Sequence, residues 1–180
     1  MTRLLAKVEQ ALEAPEKNYT SHILIKSLPE VIVASMTKRI NSYDDLFVLM
    51  PEMGQEMERL GCECAMPEYC FTSYPESGYK EEHILVETCE AVTELKDDTD
   101  KIKFRTIPEV LYAACMFHKG SYQTLPSSYA LVLRYIEENG LQIHGPIREN
   151  YIDGVWNKDS ENEWLTEIQI PVCRISEWNE

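Results

Sequence analysis

The sequence predicts an α+β protein made of duplicated β-α-β-β half-domains that share an antiparallel sheet, with helices on one face and a groove on the other. Three observations carry this expectation: an internal repeat, one helix-period segment in each repeat, and several strand-period runs around it. Residues 28–46 (LPEVIVASMTKRINSYDDL) and 107–125 (IPEVLYAACMFHKGSYQTL) agree at seven of 19 positions at a constant offset of 79. Background composition gives roughly one such identity. The offset continues through Glu58/Glu137, Gly61/Gly140 and Pro67/Pro146, and a one-residue slip then sets Glu87 over Glu167.

Elements follow in chain order. Residues 2–13 carry Leu4, Leu5, Val8 and Leu12 on one stripe and predict a short amphipathic helix. The first repeat reads as strands near 22–28 and 31–40, a helix ending at Gly61, and strands near 68–74 and 83–92. Pro51 interrupts the helical series Leu46, Met50, Met53, Met57, Leu60 and is expected to kink that helix or delay its start. In the second repeat, 102–107 and 110–118 read as strands joined by a turn at Pro108-Glu109. Pro126 opens a helix with Tyr129, Val132, Leu133 and Ile136 on one stripe, and Asn139-Gly140 stops it. Strands near 147–152 and 164–172 complete the unit. The expected organisation is an N-terminal helix and lead-in over 1–20, a first half-repeat over 21–93, an acidic connection over 94–101, and a second half-repeat over 102–180. The two halves form one domain, and the groove between them is the expected ligand groove.

Composition narrows the function classes. There are 31 Asp and Glu against 17 Lys and Arg, a formal net charge of −14, which repels phosphate backbones and argues against direct nucleic-acid binding. The longest apolar stretch, Val110 to Phe117, is far short of the roughly 20 residues that cross a bilayer, so no membrane association is expected. Six cysteines and an N-terminus with no continuous apolar signal segment fit a cytoplasmic protein. Cys62, Cys64 and Cys70 lack the paired knuckles of zinc sites, and no P-loop, dinucleotide fingerprint or metalloprotease motif occurs. No metal and no cofactor are expected.

The residue that stands out is Glu167. In LTEIQIPV, Ile168, Ile170 and Val172 share one strand face and should pack on the helices, which turns Glu167 to the opposite side. A carboxylate there needs a partner. One reading pairs it with a basic side chain such as Arg148 or Lys119, or leaves it at a solvated edge. The other makes it an anionic anchor in an aromatic cleft that holds a ligand cation by charge and ring faces. Tyr112, Tyr151, Trp156 and Trp164 lie near the relevant strands and are the candidate walls.

The segments Gly120-Ser121-Tyr122, Glu138-Asn139-Gly140-Leu141, Gly145-Pro146-Ile147-Arg148-Glu149-Asn150-Tyr151 and Thr166 to Val172 together resemble the GyrI-like small-molecule-binding family. They are also similar to the effector-binding domains of AraC-type and MerR-type transcription regulators. The resemblance covers most of residues 20–174. It implies a duplicated β-α-β-β fold and, in multidrug-sensing members, a buried last-strand glutamate among aromatics that holds lipophilic cations. That glutamate matches Glu167, and the tyrosine of the G-P-x-R-E-x-Y segment matches Tyr151. With no helix-turn-helix ahead of it, the chain reads as a stand-alone member that captures amphipathic, cationic or aromatic small molecules for sensing or sequestration. The resemblance also implies an alternative: a hydrolase that opens cyclopropane-containing DNA-alkylating natural products in the same groove with a glutamate and a tyrosine, for which the catalytic candidates are Glu167 with Tyr151 or Tyr112.

Overall fold

The computed structural model describes residues 22–76, 80 and 82–175. The expected helix over residues 2–13 lies outside them. The described elements are β1 (Ile23–Leu28), β2 (Val31–Ile40), α1 (Leu46–Arg59), β3 (Cys70–Tyr74), β4 (Ile84–Ala91), β5 (Lys103–Ile107), β6 (Val110–Lys119), α2 (Leu125–Glu138), β7 (Leu141–Ile143), β8 (Ile147–Asp153) and β9 (Leu165–Arg174). The fold is α+β, as expected, with antiparallel ladders. Among the described helices none is long and apolar enough to cross a membrane.

Two compact units form, and their boundaries differ from those of the sequence repeats. One is Pro29–Val110; the other combines the described residues up to Leu28 with those from Leu111 onward. In the first unit the strands run β3-β4-β2-β5, and in the second β1-β6-β9-β8, with β7 added to β9. Thus β1 pairs with β6 and β5 with β2, so the leading strand of each repeat completes the sheet of the other. The linkers Pro29-Glu30 and Pro108-Glu109 explain this. A two-residue hairpin needs positive φ at a central position, and proline is locked near −65°, so neither linker folds its flanking strands onto each other.

Within each unit a helix covers one sheet face. In the Pro29–Val110 unit, Leu46, Leu49, Met53 and Met57 of α1 pack on Ala34, Met36, Ile84 and Val86. In the other, Leu125, Val132 and Ile136 of α2 pack on Ala114, Met116, Ile168, Ile170 and Val172. The buried helix positions Leu46, Leu49, Met53, Met57 and Leu125, Ser128, Val132, Ile136 keep the 79-residue offset. The ladders of β2 with β4 and of β6 with β9 do not: Thr37 faces Glu87 and Phe117 faces Glu167, an offset of 80. Ala34 is therefore matched structurally by Ala114, not by Ala113 as the sequence identity indicates.

Local signals set the helix ends. Ser42 accepts from the Asp44 amide and Asp45 from the Asn41 and Ser42 amides, a capping box leading into α1. Ser121 accepts from the Gln123 amide ahead of α2, where Pro126 sits in the first turn and needs no N–H partner. Gly61 and Gly140 follow the helices at φ +62 and +63, a conformation that costs other residues steric strain. The start of α1 is not delayed; Pro51 lies inside it. The buried stripe of α2 is rotated from the expected one, and Leu133 is partly exposed.

Candidate functional site

Strand β9 is the centre of its sheet, with β6 on one side and β8 and β7 on the other. Alternation sends Ile168, Ile170 and Val172 into the core beneath α2 and turns Glu167 and Gln169 to the opposite face. Across the ladders, Phe117 and Asn150 flank Glu167, and Cys115 and Arg148 flank Gln169. Glu167 is only 3% exposed, so its carboxylate must be compensated locally.

The compensation is unequal at the two oxygens. Oε2 accepts from Gln169 Nε2 at 2.9 Å and from Asn150 Nδ2 at 3.4 Å. Oε1 accepts no hydrogen bond of regular geometry among the described residues, but the Lys26 ammonium rests against it as a charge contact. The Lys26 side chain is 42% exposed. The nearby Cys115 thiol registers the same charges: burial first and the Glu167 carboxylate second push it up to about 12, with Lys26 and Arg148 acting the other way. On the same face Phe117 leaves half of its surface open.

Among the described residues the basic partner of Glu167 is Lys26; Arg148 stands across from Gln169 on the same face. Lys119 lies at the end of β6, opposite Leu165. Tyr151 sits opposite Thr166 in the β8–β9 ladder and so shares the helix-side face, away from Glu167. Its hydroxyl donates to Glu149 Oε2 at 3.1 Å, and Tyr129 of α2 donates to Glu149 Oε1 at 2.7 Å. Trp164 joins that side as well: its ring lies 4.8 Å from that of Tyr122, which contacts Tyr151 edge-on at 5.9 Å. Trp156 is half-exposed in the turn after β8, against Gly154. Tyr112 is exposed near the start of β6. The structure thus does not bring Tyr151 and Trp164 to the carboxylate that sequence reasoning grouped them with.

The residues that do meet Glu167, namely Lys26, Phe117, Cys115, Asn150 and Gln169, were not singled out from sequence. Two signals point to them. Met116 belongs to the apolar helix-side face, so its neighbour Phe117 must face the other way. A basic residue also recurs at the 79-residue offset, as Lys26 and Arg105.

The Pro29–Val110 unit repeats the pattern with a different closure. Glu87 is 8% exposed on the sheet face away from α1, beside Cys89. Arg105 of β5 grips both its oxygens, Nε to Oε1 at 3.1 Å and Nη2 to Oε2 at 2.6 Å. The pairing raises the Arg105 guanidinium above its ordinary range. Among the described residues no group of three or more His, Cys, Asp or Glu is placed to hold a metal ion.

Solved structures share the fold of this chain. The EcmrR C-terminal domain is 37% identical with a TM-score of 0.81, over 85% of this chain and 98% of that one. EcmrR in its DNA complex is 35% identical at a TM-score of 0.84, over 96% of this chain and 65% of that one. SAV2435, solved bound to tetraphenylphosphonium, is 13% identical at a TM-score of 0.55, over 87% of this chain and 97% of that one, a likeness of fold alone. No curated protein matches the chain at a significant level. The family pattern of the GyrI-like small molecule binding domain matches residues 22–172, and with the EcmrR likeness it shows that the chain belongs to the GyrI-like family.

Proposed function

We propose that this GyrI-like domain binds amphipathic aromatic cations, with Glu167 as the anionic anchor on the sheet face away from α2. The observation that carries the reading is a carboxylate 3% exposed whose one ionic partner among the described residues is a half-exposed lysine, next to an open phenylalanine ring. A buried carboxylate attracts a desolvated cation strongly, and a ring face adds to the attraction. The tetraphenylphosphonium bound by SAV2435, a protein of the same fold, is a ligand of this class. We place the role in the cytoplasm, as sensing or sequestration, where six free cysteines stay reduced. The Tyr151 hydroxyl donates to Glu149 on the opposite face, which favours binding over a hydrolysis that needs a phenol beside Glu167.

Isothermal titration with tetraphenylphosphonium and with neutral triphenylphosphine oxide tests the reading. The cation is expected to bind more tightly, and Glu167→Gln to weaken it by about tenfold or more while leaving the neutral compound unchanged. Equal affinity of parent and variant for the cation overturns the assignment.

A further inference from the structure

We propose that Lys26 is a specificity-determining residue of this site: a tethered ammonium occupying the place on Glu167 that a ligand cation must take. The inference rests on the cation-binding reading above. Glu167 Oε2 is fixed by two amide donors, whereas among the described residues Oε1 has the Lys26 charge contact alone. With its side chain 42% exposed on a flexible stem, the Lys26 ammonium can withdraw into water without leaving a buried donor behind.

The other unit supplies the contrast. There Arg105 presents its planar fork to both oxygens of Glu87 and closes the carboxylate. A point charge on one oxygen is exchangeable; a bidentate fork on two is not. Of the two glutamates in equivalent last-strand positions, the one paired with lysine remains open to exchange.

A tethered competitor also selects among ligands. An intramolecular ammonium acts at an effective concentration on the order of millimolar. A compact aliphatic ammonium must shed its own hydration to gain only what Lys26 already gains. A delocalised cation sheds little hydration and adds contact with the half-exposed Phe117 ring. Lys26 therefore filters for bulky, weakly hydrated cations.

Titration of the full chain with tetraphenylphosphonium and with hexylammonium tests this on the parent, Lys26→Met, Lys26→Arg and Glu167→Gln. Lys26→Met is expected to bind hexylammonium about tenfold more tightly and to narrow the preference for tetraphenylphosphonium, because the competing state is removed. Lys26→Arg, which retains the charge, is expected to weaken tetraphenylphosphonium by about tenfold by closing both oxygens. Unchanged hexylammonium affinity in Lys26→Met, or undiminished tetraphenylphosphonium affinity in Lys26→Arg, overturns the role of Lys26 if Glu167→Gln still loses the cation. If Glu167→Gln binds like the parent, the anchor reading itself fails, and the filter with it. Should Lys26→Met not fold, the arginine variant decides alone.

Discussion

Phe117 and Glu167 face each other across the β6–β9 ladder, on the side of the sheet that α2 does not cover. One is half-exposed and the other 3% exposed, so an apolar ring stands open beside a sequestered charge. Truncating the ring removes little buried packing but takes away a contact surface for an aromatic cation. Phe117→Ala is expected to weaken tetraphenylphosphonium binding by about tenfold while changing stability by less than about 1 kcal/mol. Calorimetric titration combined with urea unfolding measures both quantities. A large loss of stability with unchanged affinity sinks this assignment.

The Glu87–Arg105 pair should behave as a structural clasp. Removing the guanidinium leaves a carboxylate that is 8% exposed without its fork, although Arg105 itself is partly solvated. Arg105→Met is expected to destabilise the fold by about 2 kcal/mol, below the full cost of breaking a wholly buried pair. Adding Glu87→Gln should recover most of the loss, because the uncompensated charge is then gone. Chemical denaturation of the two single variants and the double variant gives the coupling.

Tyr151 separates the two faces of the sheet experimentally. Tyr151→Phe removes one of the two phenol donors that Glu149 has among the described residues and is expected to cost about 1–2 kcal/mol of stability. Its effect on cation affinity should stay within about twofold, since the ring lies on the helix side. A tenfold loss of affinity without destabilisation places Tyr151 in the ligand site after all.

Cysteine alkylation reads the electrostatics around Glu167. With its thiol pushed up to about 12, Cys115 stays neutral until the pH rises through that range, so at pH 8 it is the unreactive thiol. Cys64 is exposed, and its thiol is raised by a modest desolvation and by nearby acidic groups. Under iodoacetamide at pH 8, peptide mass spectrometry should find Cys64 modified well before Cys115. Cys115 labelling at a comparable rate contradicts the packing described for this face.

Much of this protein is local chemistry and was legible as such. Strand periods, the Gly61 and Gly140 stops and the outward turn of Glu167 depend on residues within a few positions of one another. The repeat made the second half readable from the first. Which strand lies alongside which is a non-local matter: Pro29 and Pro108 forbid tight hairpins but do not name the partner, so the exchange of β1 and β5 is decided by tertiary pairing. That exchange brings Lys26 from one repeat to Glu167 of the other, an ion pair spanning most of the chain. The face of Tyr151 was equally unreadable, because β8 buries Arg148 and Glu149 side by side and so carries no apolar alternation to mark its inner side. Charge and period belong to the chain itself, whereas the partner of a buried charge is chosen only when distant strands meet.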